Sequence, residues 1–180
     1  MCSRLERRGG TVLNMEYDVV YADPPWRYKK DTTDPSRAIE NQYPTMDLDE
    51  ICALDVPTAD PCVLFLWVPG SKVPSGVKVV ESWGFRYSTC AVWDKLSMGM
   101  GYYIRHQHEL LMIGLKGKTK PPPPDRRPRS MISEKRTRHS RKPVAAYEMI
   151  ELMYPDASKI ELFARPPLRP GWDSWGNEVR

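Results

Sequence analysis

Asp23-Pro24-Pro25-Trp26 is the segment of this sequence whose residue types are best suited to chemistry. It follows Tyr17–Ala22, a short apolar run that predicts a buried strand of a parallel sheet. Because proline continues neither a strand nor a helix, the chain must turn at the carboxyl end of that strand, where open α/β sheets bind ligands. The segment therefore places a carboxylate, two carbonyl groups and a flat ring at a predicted site.

These groups suit a planar base that is held by its exocyclic amino group. The amino nitrogen of adenine is a poor nucleophile because its lone pair is delocalised into the ring. If the Asp23 carboxylate and the Pro24 carbonyl accept its two N–H bonds, they favour a tetrahedral nitrogen and stabilise the charge that develops on attack. Trp26, helped by Pro25, would stack on the base, which is worth roughly 1–3 kcal/mol. The alternative is a structural turn with a capping aspartate and a core tryptophan.

A second polar cluster lies near the carboxyl terminus. Residues 159–163 predict a strand, and Arg165 follows it as a fixed cation at the sheet edge. Asn177 and Glu178 offer amide and carboxylate groups that could hold ribose hydroxyls or a base edge. The alternative is a surface arginine with a frayed tail. Two tryptophans and two glycines in residues 171–176 argue instead for a tail that docks on the domain.

Length and composition describe one globular domain. The chain has 180 residues, of which 41% are hydrophobic and 28% charged. Its longest apolar run, residues 62–68, is far too short to span a bilayer, and the polar, basic amino terminus predicts no signal peptide. The four cysteines lack metal-ligand spacing and fit reduced thiols. We therefore predict a cytoplasmic protein with no membrane partner.

Positive charge is concentrated in residues 116–142. This segment holds eleven Lys and Arg but only two acidic residues, a net charge of +9, whereas the whole chain carries +4. Such a segment predicts an arm that contacts phosphates, with Arg126 and Arg127 as candidate contacts. Its four consecutive prolines also indicate a solvated, mobile loop, and the two interpretations are compatible because mobile basic loops order on nucleic acid.

The remaining pattern predicts strands that alternate with helices, which is typical of an α/β fold with a largely parallel sheet. We expect residues 1–14 to form a flexible tail and residues 15–180 a single domain. Residues 27–42 should form a mobile loop over the site, followed by a helix at 46–54 that Thr45 or Asp47 caps. Further strands are predicted at 62–68, 85–93, 108–115 and 159–163, and further helices before Gly84 and at 144–153.

The motifs together resemble the adenine-N6 methyltransferase family that contains the catalytic subunit of the messenger-RNA adenine methyltransferase. The chain is most similar to the small phage and bacterial members of that family, which methylate DNA. The resemblance runs from Tyr17 to Val179. It is carried by ADPPW at 22–26, YPTM at 43–46, LFLWV at 64–68, VWDK at 92–95, HELLMIG at 108–114, HSRKP at 139–143, ELFAR at 161–165 and GWDSWGNE at 171–178.

This resemblance implies a Rossmann-like fold that binds S-adenosylmethionine, with the catalytic strand before the cofactor strand in a permuted order. It places Asp23 between the amino group of the methyl donor and the target amine. The residues implied to line the cofactor's adenosine are Phe163, Arg165, Asn177 and Glu178, with Glu161 at the edge of that pocket. Tyr43 and Lys95 match loop positions near the acceptor base.

The predicted function is transfer of a methyl group from S-adenosylmethionine to the amino group of adenine in double-stranded DNA. The base would be flipped out of the duplex toward Trp26. The alternatives are the same reaction on RNA and a catalytically silent nucleic-acid-binding subunit, and a homodimer is allowed. A metal-dependent nuclease is a further alternative, but His106 and His108 on one strand do not complete a ligand set, so we expect no metal.

Overall fold

The computed structural model describes residues 3–4, 15–28, 45–99, 101, 103–137 and 141–176. Their elements, in chain order, are β1 (Ser3–Arg4), β2 (Tyr17–Ala22), α1 (Leu48–Cys52), β3 (Leu54–Asp55), β4 (Thr58–Pro69), α2 (Val73–Ser82), β5 (Arg86–Asp94), β6 (His108–Lys116), β7 (Met131–Ser133), α3 (Val144–Met153), β8 (Lys159–Leu162) and β9 (Asp173–Trp175).

The central sheet contains seven of these strands, in the order β7-β5-β6-β4-β2-β8-β9. The pairs β2/β4, β2/β8, β8/β9 and β5/β7 are parallel, whereas β6 runs antiparallel to both β4 and β5. This arrangement confirms the predicted α/β fold with a mostly parallel sheet.

The helices cover both faces of the sheet, because successive residues of β2 and β4 point to opposite sides. Val20 and Leu64 belong to a cluster that includes Ile51 of α1 and Val79 and Val80 of α2. On the other face, residues such as Val19 and Phe65 pack against Ala146, Met149 and Ile150 of α3. The two central strands are therefore buried on both faces, and ligands can reach them only at their ends.

Local caps fix where the helices begin. Asp47 and Glu50 form a capping box at α1, in which each side chain accepts the other residue's backbone N–H. Of the two predicted caps, Thr45 and Asp47, the structure selects Asp47. At α3 the carboxylate of Glu134 accepts the backbone N–H groups of Val144 and Ala145, at 3.2 and 3.3 Å. This distant cap fixes the chain immediately before α3.

The basic segment contains more regular structure than the predicted loop. A 3-10 turn covers Pro124–Arg126, and Met131–Ser133 is the strand β7 at the edge of the sheet. The prediction that this whole segment is a loop was wrong at β7, because the backbone of Met131–Ser133 pairs with β5 and forms a strand.

Segments near both ends of the chain pair with strands of the domain. The backbone of Ser3–Arg4 pairs with Leu54–Asp55, while the rest of the predicted tail, residues 1–14, lies outside the described residues. The docked carboxyl-terminal segment forms β9 beside β8, and Trp172 is buried. No helix among the described residues is long and apolar enough to cross a membrane.

Candidate active site

Asp23 follows the last residue of β2, in the centre of the sheet. Ala22 pairs with Leu66 of β4 on one side and with Leu162 of β8 on the other. All three strands run in the same direction, so their carboxyl ends meet at one edge, the predicted place for a ligand in an open α/β sheet.

Asp23 is the end of a chain of ion pairs. Lys142 Nζ lies 2.9 Å from Asp23 Oδ1 and 3.0 Å from Glu109 Oε2, and Lys95 Nζ lies 2.6 Å from Glu109 Oε1. The four side chains are 12–20% exposed. Two carboxylates and two ammonium groups thus alternate at the edge of the sheet, and their charges cancel.

Burial and pairing act in opposite directions on these groups. Burial raises the pKa of Asp23 above its ordinary value, and the Lys142 ammonium offsets only part of that rise. Burial would also raise the pKa of Glu109, but Lys142 and Lys95 together hold it below its ordinary value. The pKa of Lys142 is raised, because attraction to the two carboxylates outweighs burial. Lys142 therefore stays charged, and Asp23 is the carboxylate of the pair that accepts a proton more readily.

Trp26 lies in the core and does not line the cleft. Its side chain is 6% exposed, and its indole N–H donates to the Trp67 carbonyl of β4 at 3.1 Å. The ring belongs to the cluster under α1 and α2. The ring is buried in this structure, and its stacking on an acceptor base stays a prediction. Its position in the core anchors the turn that carries Asp23.

The two prolines direct the chain away from the sheet. The Pro24 carbonyl accepts the Trp26 N–H at 2.9 Å, and the Pro25 carbonyl accepts the Met46 N–H at 2.9 Å. Trp26 and Met46 also form a parallel bridge, so the ends of the connection between them lie side by side. Residues 29–42 of the loop predicted over the site lie outside the described residues.

A cleft of about 600 Å³ opens beside Asp23. It is lined by residues from the ends of β2 and β8, from the start of α3 and from the connection to β9: Asp23, Arg141, Lys142, Val144, Tyr147, Glu161, Phe163, Arg165, Pro166, Pro167, Leu168, Arg169 and Pro170. The volume is within the range of about 300–1,000 Å³ that is usual for small-molecule sites. The structure thus brings together Asp23, Glu161, Phe163 and Arg165, which the sequence assigned to one cofactor site.

Glu161 is the second carboxylate of this cleft. It is 8% exposed and accepts a hydrogen bond from the Tyr147 hydroxyl at 2.8 Å. Burial raises the pKa of Glu161 to about 7, with a further contribution from Asp23, although the hydrogen bond from Tyr147 opposes the rise. Tyr147 itself packs against the Tyr21 ring, with a centroid distance of 4.9 Å. Glu161 is therefore held rigidly and changes its charge near neutral pH.

Glu161→Gln should remove part of the pH dependence of stability. A carboxyl group whose pKa rises from 4.5 to about 7 on folding stabilises the folded state below pH 4.5, and this contribution is lost as the pH rises through 7. Between pH 4.5 and pH 8 the wild type should lose about 3 kcal/mol of unfolding free energy relative to the glutamine variant. Urea unfolding of both proteins across this range measures the difference. A difference that stays constant with pH would contradict the assignment.

The outer wall of the cleft is tied to α3. Arg169 binds the Glu151 carboxylate at 2.5 and 2.8 Å, and the Trp172 indole N–H donates to Glu151 at 2.9 Å. The guanidinium of Arg169 also lies 5.7 Å from the centroid of the Tyr147 ring. One carboxylate therefore holds both an arginine of the cleft and the tryptophan that docks the final segment.

Close backbone packing shapes the cleft at the end of β8. Phe163 adopts a positive φ of 62°, a rare conformation for a residue with a side chain, and its ring lies 5.5 Å from that of Trp175. A Cβ on Gly176 would lie 2.7 Å from the backbone N and O of Ala164, so only glycine allows β9 to pass so close to this turn.

The other predicted site residues have separate positions. Lys95 belongs to the ion-pair chain, whereas Arg126 ends the 3-10 turn of the basic segment and Arg127 follows it, and both are exposed. Tyr43, Asn177 and Glu178 lie outside the described residues. Their predicted contacts with base and cofactor therefore stay predictions.

The histidines considered for a metal lie at the start of β6. The rings of His106 and His108 are 6.5 Å apart, centroid to centroid. Among the residues that the structure describes, no group of three His, Cys, Asp or Glu side chains is placed to hold a metal ion.

Sequence reasoning gave no individual role to Lys142, Glu109 and Tyr147. Lys142 was counted with the charges of the basic segment, yet it is buried against Asp23. Glu109 lies in HELLMIG and Lys142 in HSRKP, two of the motifs that carry the family resemblance. A charged residue inside such a motif, next to a buried strand, is the sequence feature that could have identified them as site residues. Tyr147 was interpreted only as an apolar position of α3.

The chain matches known methyltransferases over most of its length. The MT-A70 family profile matches residues 17–178. A type II methyltransferase, M.MunI of Mycoplasma sp, is 40% identical, over 91% of this chain and 78% of that protein. An N(6)-adenosine-methyltransferase MT-A70-like protein of Arabidopsis thaliana is 32% identical, and the N(6)-adenosine-methyltransferase catalytic subunit METTL3 of Homo sapiens is 30% identical. Each covers 91% of this chain, which spans 24% and 28% of their lengths. With its mostly parallel sheet and a match over nearly its whole length, the chain belongs to the MT-A70 family, the adenine-N6 methyltransferases that its motifs predicted.

Proposed function

We propose that this protein transfers a methyl group from S-adenosylmethionine to the exocyclic amino group of adenine in double-stranded DNA. Family membership establishes the enzyme class, an adenine-specific methyltransferase. The cofactor, the duplex and the roles of individual residues are the proposal. The observation that carries it is the position of Asp23, which meets the cleft of Glu161, Phe163 and Arg165 at the carboxyl edge of the sheet.

The side chains of the cleft match the chemical groups of S-adenosylmethionine. When bound, that molecule supplies a methyl group on a positively charged sulfur. Asp23 and Glu161 offer acceptors for positive charge, and Arg141, Arg165 and Arg169 offer cations for a carboxylate. The Phe163 ring, held against Trp175, offers a surface for a flat purine. Residues of both charge signs around one aromatic ring favour a zwitterion with a base.

Asp23 would act on the acceptor amine. Lys142 engages Oδ1, which fixes the carboxylate and leaves Oδ2 able to accept an N–H of the adenine amino group. As the new C–N bond forms, the methyl carbon–sulfur bond of the donor would break and leave its electron pair on a neutral sulfur. The positive charge would move from that sulfur to the amino nitrogen, where the nearby carboxylate stabilises it. The N–H proton becomes acidic only then, and Oδ2 receives it. A raised pKa suits Asp23 to this proton transfer.

DNA is the favoured polymer. The type II methyltransferase is matched over most of its own length, whereas the N(6)-adenosine-methyltransferases are matched over about a quarter of theirs. The exposed cations of the basic segment contact phosphate on either polymer and therefore do not distinguish the two.

The direct test is methyl transfer in solution. Purified protein is incubated with tritium-labelled S-adenosylmethionine and unmethylated duplex DNA, or with RNA of matched sequence. We expect label in N6-methyladenine of the DNA. Label in RNA alone would reject the polymer, and a protein that neither binds the cofactor in calorimetry nor transfers label would be a silent subunit.

The exposed arginines of the basic segment should act through phosphates. Replacing both Arg126 and Arg127 by alanine should weaken DNA binding uniformly across sequences and lower the slope of log K against log salt by about two. Fluorescence anisotropy at several salt concentrations measures this slope. Arg86→Ala is the matched control, since Arg86 is exposed at the start of β5. If the slope of the double variant equals that of the control, these arginines contact no phosphate.

A further inference from the structure

The connection between β5 and β6 is a projecting hairpin, residues 95–107. The two strands are antiparallel, and the ladder continues beyond them. The Lys95 N–H donates to the Gln107 carbonyl at 2.9 Å, and the Gly99 N–H donates to the His106 carbonyl at 2.8 Å. These two hydrogen bonds hold the arms of the hairpin together beyond the edge of the sheet, although neither arm is a strand.

The turn at the end of this hairpin is tightly built. Arg105 Nε donates to the Gly99 carbonyl at 2.6 Å. A Cβ on Gly101 would lie 1.9 Å from the Ile104 carbonyl oxygen, so the turn requires glycine at that position. These contacts hold Gly99 close to Arg105 and Gly101 close to Ile104.

Large apolar side chains cover this hairpin and face solvent. Tyr103 is fully exposed, and Met98, Ile104 and Leu96 are 71%, 63% and 55% exposed. Four of the eleven large hydrophobic side chains that are exposed among the described residues stand in these thirteen positions. A cluster of exposed apolar side chains on a folded protein indicates a surface that binds another molecule.

The base of the hairpin is connected to the catalytic carboxylate. Lys95 begins the hairpin and pairs with Glu109, the second residue of β6, and Glu109 pairs in turn with Lys142, which binds Asp23. Three consecutive ion pairs thus join the hairpin to the residue proposed to hold the adenine amine. The apolar tip projects from the same edge of the sheet as the acceptor site.

Positive charge surrounds the apolar tip. Residues 95–108 contain no acidic residue, and Arg105 is exposed. The exposed Lys135 and Arg136 run beside the hairpin base, where the Arg136 N–H donates to the Lys95 carbonyl at 3.4 Å. An apolar tip within a basic rim suits a duplex, whose stacked bases are apolar and whose edges carry phosphates.

A methyltransferase that acts on adenine in a duplex must take the base out of the stack. Unpairing and unstacking cost a few kcal/mol and leave a gap, which apolar side chains fill in proteins that wedge base steps apart. We propose that Tyr103 and Ile104, supported by Met98, insert into the duplex and occupy the space of the extruded adenine. This inference rests on the proposed function and assigns to the hairpin the task of presenting the base to Asp23.

The test compares two duplexes that differ only in the cost of extrusion. Once sequencing has identified a methylated site, oligonucleotide duplexes carry the target adenine either paired with thymine or opposite an abasic position. Ile104→Ser should lower kcat/KM on the paired duplex by about 10- to 100-fold, the loss expected when an apolar side chain no longer fills the gap. It should have little effect on the duplex that lacks a partner base. Leu152→Ser, which alters an exposed apolar residue of α3, is the control for both.

Tyr103→Ser should also lower kcat/KM on the paired duplex and have little effect on the other duplex, because it removes the ring proposed to fill the gap. Equal losses on both duplexes, or no loss on either, would overturn the proposal. If the Ile104→Ser protein also changes its sedimentation coefficient, the hairpin binds a second copy of the chain instead. A wild type that methylates neither duplex would reject the proposed function and not the wedge alone.

Discussion

Asp23→Asn should lower the rate of methyl transfer by about 100- to 10,000-fold, the usual contribution of a positioned proton acceptor. Asparagine keeps the shape of the side chain, but it carries no negative charge and cannot take up the amine proton. Asp23→Ala should abolish transfer altogether. Single-turnover transfer of tritium from labelled cofactor into DNA measures the rate of the chemical step.

Cofactor affinity separates this role from a loss of structure. Lys142 keeps Glu109 as a partner when Asp23 is neutral, so the ion-pair chain and the cleft should persist. Calorimetry with S-adenosylmethionine should give Asp23→Asn a dissociation constant within about tenfold of the wild-type value, because the amide oxygen still accepts a hydrogen bond from the amino group of the methyl donor. An Asp23→Asn protein that transfers label within tenfold of the wild-type rate would sink the assignment.

Lys142→Met should destabilise the protein by about 3–5 kcal/mol, because it removes one partner from a buried ionic cluster. Asp23 and Glu109 would then share the site without the cation between them, and the pKa of Asp23 should rise further. A carboxyl group with a raised pKa in the folded state stabilises at low pH and loses that contribution as the pH rises. The deficit of the variant should therefore be larger at pH 8 than at pH 5, as urea unfolding at both values measures.

Two further variants distinguish this cluster from ordinary packing. Lys95→Met removes a cation of similar burial that touches Glu109 alone, so Asp23 keeps its partner and the loss should be smaller. Adding Glu109→Gln to Lys142→Met removes the negative charge that remains beside Asp23 and should restore part of the stability. A deficit that is independent of pH and unrelieved by Glu109→Gln would indicate that Lys142 contributes through packing only.

The sequence pattern of a single segment predicts an element correctly where the segment is wholly apolar or has a clear helical period. Tyr17–Ala22 and Val144–Met153 were predicted with the bounds that the structure shows, because an apolar run and a helical period are properties of the segment itself. The position of Asp23 followed from proline chemistry at the end of that strand. The place of Arg165 at the same edge followed from the end of its predicted strand, whereas the role of Glu161 in the cleft was implied by the family resemblance.

Contacts between distant segments were beyond such patterns. The burial of Trp26 depends on such a contact, because a tryptophan beside a turn suits either a binding site or the core, and the acceptor of its indole N–H is a carbonyl 41 residues away. The burial of Lys142 was not predictable in this way, because the number of lysines and arginines in a segment does not show which of them is buried. The antiparallel direction of β6 was a missed inference, since thirteen residues without a helical pattern suit a hairpin better than a crossover.

The most direct test of the central claim is sequencing of N6-methyladenine in DNA from cells that produce the protein. We predict methylated adenines at a defined sequence in cells with the wild type and none in cells with equal amounts of Asp23→Asn. Equal methylation by the two proteins, or its absence from the DNA of both while RNA gains it, would contradict the account.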